Sequence, residues 1–283
     1  MALFGHLELM AVIPYIGGKT FQAPWIVFHF PPGYERIGYL EPFGGSLAVF
    51  FWKRPSKVEV LNDKDEDVLN FWMVVQERGE ELAREAAKLP YSRKLYERWG
   101  KEWWKLGRRP LDPFERALRF FYLMRTNRSG HLAADKGWRC GIKTNYAEVY
   151  RNACREIEYA QKRLERVQLE CRDFREVIEQ YDDEECLMYV DPPYVDMNYY
   201  QVKFKREDHE ELAELLNRAK AKVIISLYPH PLVDELYPEG RWQRFTRTFD
   251  RKAPNLPEDR SEATELLLTN YEPGGSLKLW EAV

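Results

Sequence analysis

No stretch of this chain approaches the ~18 consecutive apolar residues that a membrane-spanning helix requires. The leading residues, Met1 to Ile13, are mildly apolar. They lack a basic leading region and carry Glu8, so they do not read as a secretory signal. Cysteine is scarce: Cys140, Cys154, Cys171 and Cys186 form no Cys-x-x-Cys pair. That argues against a zinc site or a disulfide framework, and for reduced thiols in a cytoplasmic protein. Internal repeats and low-complexity tracts are absent too. The 283 residues, 45% apolar and 31% charged, fit a soluble globular protein with a full core and one or two domains.

Net charge is only −3, yet it is unevenly spread. From Arg84 to Arg166 there are 21 Lys and Arg against 10 Asp and Glu, whereas the rest of the chain has 22 against 36. A basic block inside an acidic chain points to a segment with its own polyanionic partner, most simply nucleic acid. The alternative is a solvated helical face.

Residues Arg36 to Leu40 read as a strand running into the turn Glu41-Pro42-Phe43-Gly44-Gly45-Ser46. A helix is expected from Leu47 to Trp52, a strand over Lys57–Leu61 closed by Asn62-Asp63, and a helix over Asp67–Arg78. Strand, turn, helix, strand, helix opens a doubly wound sheet. The pattern then becomes helical, over Glu80–Lys88, Pro113–Met124 and Asn145–Val167. Strand patterns resume at Val167–Cys171, Cys186–Val190, Ala221–Leu227 and Glu265–Leu268, with a helix over Asp208–Lys220. The expected fold is an α/β, Rossmann-like, mostly parallel sheet formed by residues 1–78 and 167–283. Residues 79–166 form a helical insertion.

The most informative motif is Asp191-Pro192-Pro193-Tyr194, at the end of the apolar run Leu187–Val190. Two prolines have no N–H to donate, so the chain must leave the sheet there. One carboxylate, one proline carbonyl and one ring are left at the strand's carboxyl edge, where open α/β sheets bind ligands. That set suits a flat ring with an exocyclic amino group. The alternative is a plain Pro-Pro turn with a capping Asp.

Phe43-Gly44-Gly45-Ser46 sits between a strand and a helix, where glycine admits a close ligand and the helix start favours an anionic group. Asp63 lies 18 residues beyond Gly45 at the end of the next strand. An acid there can accept from both hydroxyls of a ribose. Plain turns and caps are the alternative. Ile16-Gly17-Gly18-Lys19-Thr20 superficially looks like a phosphate-binding loop, but Ile13 stands where that motif needs glycine. A nucleotide-triphosphatase is therefore rejected. Lys19 is expected to meet a carboxylate or a nucleic-acid phosphate rather than lie on a surface turn.

Taken in order, Tyr15-Ile16-Gly17-Gly18-Lys19, Glu41–Ser46, Asn62-Asp63, Tyr189–Tyr194, Ile224–Tyr228 and Glu265–Tyr271 resemble the Dam-type, alpha-class N6-adenine DNA methyltransferases. Phe121–Gly130 resembles the Arg/Asn/Gly-rich part of that family's target-recognition segment. The resemblance covers nearly the whole chain. It departs at Leu47, where many relatives carry a second glycine.

The resemblance implies an S-adenosylmethionine-dependent enzyme that methylates the amino group of a flipped-out adenine in double-stranded DNA, with no metal. Asp191, Pro192, Pro193 and Tyr194 would carry the chemistry, Tyr194 stacking on the base. Tyr15, Lys19, Asp63 and Asp191 would bind the cofactor, with Glu41, Phe43 and Gly45 in the loop around its methionine end. Asp173 and Phe174 would hold its adenine, although Asp173 reads equally well as a helix cap. Arg125, Asn127, Arg128 and Arg139 are candidates for base or backbone contacts, since Arg reads guanine and Asn reads adenine. Trp103, Trp104 and Trp138 read as core. A monomer is expected, and a cognate restriction endonuclease would be a natural partner. An RNA adenine or guanine methyltransferase and a catalytically silent DNA-binding module remain alternatives.

Overall fold

The computed structural model describes residues 12–15, 17–128, 134–196, 204–250 and 262–274. Met1 to Ala11, Ile16 and Ser129-Gly130 lie outside the described residues. Seven strands form one sheet: β1 (Gly38–Glu41), β2 (Val58–Asn62), β3 (Val167–Glu170), β4 (Cys186–Val190), β5 (Lys222–Leu227), β6 (Gln243–Asp250) and β7 (Glu262–Thr269). Their order is β3-β2-β1-β4-β5-β7-β6. β1 to β5 are mutually parallel, and β7 runs antiparallel to both neighbours. The expected mostly parallel sheet is what forms. β6 has no counterpart among the expected strands.

Alternation along the strands splits the apolar residues between two faces. Tyr39, Leu61, Leu187, Tyr189, Ile224 and Leu267 enter one buried cluster, while Leu40, Val60, Met188, Val190, Ile225 and Leu268 enter the other. β4 is buried at all five positions, as a strand covered on both faces must be. The second face is covered by helices α7 (Phe174–Gln180), α8 (Arg206–Arg218) and α9 (Pro231–Leu236).

The first face carries the helical segment. Helix α3 (Glu66–Lys88) follows α1 (Ala23–Phe28) and α2 (Ala48–Trp52), and it packs on α5 (Pro113–Thr126) and α6 (Tyr146–Leu164). Its start is fixed by Asp65, whose carboxylate accepts from the Asp67 and Val68 amides. The expected helices over Asp67–Arg78 and Glu80–Lys88 are found within the span of α3 and meet at a kink at Arg78, where φ is −135°. Gln161 of α6 causes it: its side-chain oxygen accepts the Glu80 amide at 2.8 Å. A Cβ on Gly79 would sit 2.7 Å from Gln161. A side chain inserted into the ladder is a recognised source of kinking.

The boundary expected between residues 78 and 79 falls at this kink. One buried cluster runs from Phe50 and Phe71 through Trp103 and Phe121 to Tyr150. Residues 79–166 share their core with the sheet. Helix α4 (Arg93–Gly100) and the π turn Lys101–Lys105 were not anticipated. They bury Tyr96, Trp99 and Trp103, with Arg109 over the Trp103 ring at 4.0 Å. Trp103 is core as read, and Trp104 and Trp138 pack against the same cluster.

Candidate active site

In sheet order β1 and β4 are neighbours, and the chain winds outward from them in both directions. That switch point leaves a crevice beyond the strand ends. A cleft of about 1130 Å³, its open mouth included, occupies that place. Tyr15, Lys19, Glu41, Phe43, Gly45, Asp63, Asp173, Phe174 and Asp191 all line it. Every residue expected to bind cofactor is thus brought to one cavity, from segments spread over most of the chain.

The walls are tied together by backbone. Asn62 donates to the carbonyls of Pro42 (2.9 Å) and Arg172 (3.1 Å), and accepts the Arg172 amide at 2.9 Å. It joins the loops after β1, β2 and β3. Asp63 accepts the Gly45 amide on one oxygen and the Asp65 amide on the other, each at 2.8 Å. Gly45 has φ +51°, and a Cβ there would lie 2.9 Å from the Tyr15 ring. Glycine lets Tyr15 lie directly on the loop.

Leu47 explains the departure noted in the sequence. It adopts φ +57°, the left-handed region that a glycine would occupy at no steric cost. The strain of a branched residue there is about 1–2 kcal/mol. Leu47 is also 1% exposed and packs in the core. Removing a buried leucine side chain costs about 2.7–5 kcal/mol. Packing wins, so Leu47→Gly should lower stability by about 1–3 kcal/mol. Denaturant titration checks this, and a more stable variant would show that strain dominates.

At the other end of the cleft, Asp191 emerges from β4. Lys19 is 4% exposed, because Gly17 and Gly18 turn the chain inward. Its ammonium pairs with Asp191 Oδ1 at 2.9 Å, lies 3.6 Å from Glu265 Oε1 and donates to the Gly17 carbonyl at 2.8 Å. Of the partners expected for Lys19, the carboxylate is the one found. Tyr194 donates to Glu265 and lies 3.3 Å from the Ser226 hydroxyl. Its ring sits below Lys19 and meets Tyr228 edge-on at 4.3 Å. The ring is only 6% exposed, so the open stacking platform expected of Tyr194 is a packed wall; Tyr228, half-buried, is nearer the surface. Glu265, Ser226 and Tyr228 were not singled out as site residues. The signal for Glu265 was an acid at the head of the apolar strand Leu266–Leu268.

Burial raises three carboxyls in the cleft: Glu41 to about 8, Asp63 to about 6 and Asp191 to about 6. For Asp191, desolvation outweighs Lys19, and the Glu265 charge pushes the same way. Glu41 is buried with the Tyr39 hydroxyl donating to it at 2.8 Å. Desolvation is the largest cause at each of them, and Asp191 stays raised although Lys19 pairs with it.

Asp173 is the cap of α7. It accepts the Arg175 amide at 3.1 Å and pairs with Lys64 at 2.6 Å, and its carboxyl is held down at about 2. The cap alternative is realised, on a residue that still lines the cleft. Phe174 is buried against Phe43 (5.4 Å) and Phe204 (5.5 Å), an aromatic patch at the same end.

The expected DNA contacts divide. Arg125 is 7% exposed and donates to the Val12 carbonyl at 2.8 Å. Asn127 is fully buried, donating to Ala134 O at 3.0 Å and accepting the Lys136 amide at 3.1 Å. Both are buried and hydrogen-bonded within the helical frame of this structure. Arg139 is half-buried and reaches the Arg128 carbonyl at 3.0 Å. Arg128 is exposed.

The comparisons with known proteins agree with this geometry. The chain is 25% identical to the type II methyltransferase M.MjaIII of Methanocaldococcus jannaschii, over 94% of this chain and all of the relative. It is 23% identical to the type II methyltransferase M.CviBI of Paramecium bursaria Chlorella virus NC1A, covering 92% of this chain and 99% of the relative. It is 25% identical to the DNA adenine methylase of Escherichia coli strain K12, covering 93% and 96%. The model of one family matches residues 15–249, from the lysine turn through the cleft to β6. The chain belongs to the D12 class of N6 adenine-specific DNA methyltransferases.

Proposed function

We propose that this methyltransferase takes its methyl group from S-adenosylmethionine held in the cleft, and delivers it to an adenine swung out of double-stranded DNA. The observation that carries the reading is the convergence of Lys19, Asp63 and Asp191 on one cavity of raised carboxyls. The residues fit the group. Each Asp63 oxygen takes one backbone amide and keeps a lone pair for a ribose hydroxyl. The acidic far end suits a sulfonium and an amino group, and the Phe43–Phe174 patch suits an adenine. When bound, the cofactor supplies an electrophilic methyl group.

Everything else falls to the chain. The Asp191 carboxylate and the Pro192 carbonyl accept the two amino hydrogens of the target, drawing the nitrogen lone pair out of conjugation with the ring. Pro193 stiffens that turn. Holding the partners at attack geometry is worth up to ~7–11 kcal/mol, and charge complementarity adds to it. Extruding the base costs a few kcal/mol. Contact with aromatic rings returns ~1–3 kcal/mol; Tyr194 forms the floor of that site and Tyr228 its side.

Residues 79–166 grip the DNA. Arg128 and the exposed Arg93, Lys94, Arg108, Lys136 and Lys143 supply the charge. The state proposed for the protein is a monomer. Two relatives carry type II names, which supports a cognate restriction endonuclease as partner. Among the described residues no helix is long and apolar enough to cross a membrane, in keeping with a cytoplasmic site of action.

Asp63→Ala tests the cofactor assignment. Losing hydrogen bonds to a charged acceptor costs about 1.5–3 kcal/mol, or ten- to a hundredfold in affinity. Calorimetry with S-adenosylmethionine should show that loss; unchanged affinity would remove Asp63 from the ribose site.

A further inference from the structure

Glu265 lies at 2% exposure on β7, the one strand that runs against the rest of the sheet. Its oxygen Oε1 collects three donors: the Tyr194 hydroxyl, the Ser226 hydroxyl and, at 3.6 Å, the Lys19 ammonium. Lys19 bridges from there to Asp191, 2.9 Å away. Two buried carboxylates therefore share one lysine. A buried carboxylate with a single charged partner already engaged elsewhere is costly to keep, and nothing in the packing of β7 needs an acid at this position.

We propose that Glu265 is a positioning residue for methyl transfer, acting through Tyr194 and Lys19, a role that rests on the assignment of Asp191 to the target amino group. It holds the Tyr194 ring by its hydroxyl, so that the turn Asp191–Tyr194 has one conformation before DNA arrives. It also draws Lys19 away from full neutralisation of Asp191, which keeps that carboxylate electron-rich toward the amino hydrogens.

Glu265→Gln tests this, since it keeps the volume and removes the charge. Turnover should fall about ten- to a hundredfold, the scale of a small misplacement at the reacting atoms, with KM for DNA nearly unchanged. The pH profile carries the signature. Asp191 is faced by Lys19 from the N-terminal turn, Glu265 from β7, Glu41 from β1, Tyr189 from β4 and Tyr194 from its own turn. Removing the Glu265 charge stabilises ionised Asp191, so the acidic limb of kcat/KM should move down by about one pH unit. Tyr194→Phe takes a donor from Glu265, leaving its charge less compensated and drawing Lys19 from Asp191, so it should move the limb the opposite way. A structural defect alone would lower turnover without displacing either limb.

Glu265→Gln with turnover within twofold of wild type, or with the limb unmoved, overturns the proposal. Should that variant not fold, Tyr194→Phe decides: an upward displacement supports the network and an unmoved limb overturns it. Asp191→Asn run in parallel separates the two levels. If Asp191→Asn stays active, the reading of the site fails; if it is inactive while the Glu265→Gln limb stays put, only the role of Glu265 fails.

Discussion

Asp191→Asn should abolish methyl transfer, by roughly a thousandfold or more, while leaving DNA affinity close to wild type and making the protein more stable at pH 8. Turnover falls because the neutral amide brings no negative charge to the target amino group, and charge complementarity at a reacting centre is commonly worth two to three orders of magnitude. DNA affinity persists if, as proposed, it comes mainly from the basic helical segment. The gain in stability follows from the carboxyl's environment. Burial raises the folded-state value of Asp191 to about 6, above an unfolded value near 3.9. The folded state therefore prefers the proton. Stability from this group is complete below about pH 4 and is lost as pH rises through about 6. Asn mimics the neutral acid, so the two proteins should match at pH 4 and diverge above it. A shift of about two units sets an upper bound near 3 kcal/mol, and the carboxylate's 20% exposure brings it lower. Denaturant midpoints at pH 4.5 and 8, read beside a methylation assay, check both halves. Appreciable turnover in the variant would exclude Asp191 from the chemistry. A variant equally stable at pH 8 would show that Lys19 fully offsets the burial.

The same physics explains what could be read from the sequence. The sheet was legible because a strand covered on both faces becomes a continuous apolar run, as in Cys186–Val190, and because Pro192-Pro193 cannot extend one. Lys19, Asp63 and Asp191 were legible because a glycine turn or a strand end holds each of them at a fixed place relative to the sheet. Helix α4 was not, since Arg93-Lys94-Leu95-Tyr96-Glu97-Arg98 is mostly charged, and only Tyr96 and Trp99 carry it into the core. Glu265 was hidden for a different reason. An acid at a strand head normally faces water, and only the pairing of β7 with β5 brings it to Ser226 and Tyr194.

Arg125 and Asn127 were read as DNA contacts because their residue types suit base recognition, and their burial was not foreseen. The run Phe120-Phe121-Tyr122-Leu123-Met124 carried the contrary signal: a helix apolar on every side is buried on every side, so the polar residues of its last turn lie inside with it.

Arg128 and Arg125, three residues apart, are therefore expected to fail in opposite ways when replaced. If the basic segment grips phosphates, affinity should fall steeply with salt, because each neutralised phosphate releases condensed counterions. The slope of log K against log salt is about −0.9 per contact, so six to ten contacts cost roughly 10³–10⁵ in affinity between 50 and 200 mM salt. Arg128 and Lys136 are exposed, and the Arg128 amide donates to the Gly137 carbonyl at 2.9 Å. Replacing both with Ala should make the slope shallower by about 1.8. If Arg128 also reads a base, discrimination between target and non-target sites should fall by ~1–3 kcal/mol. Thermal stability should hardly change, as both side chains are solvated. Arg125→Ala should do the reverse. It strips a donor from the buried Val12 carbonyl, which costs about 1–3 kcal/mol of stability, while leaving the salt slope of the folded protein as it was. Filter binding across a salt series, with a melting curve for each variant, separates the cases. An unaltered slope and site preference in the Arg128/Lys136 variant would reduce the basic excess to a solvated face. A shallower slope with full stability in Arg125→Ala would return that arginine to the DNA surface.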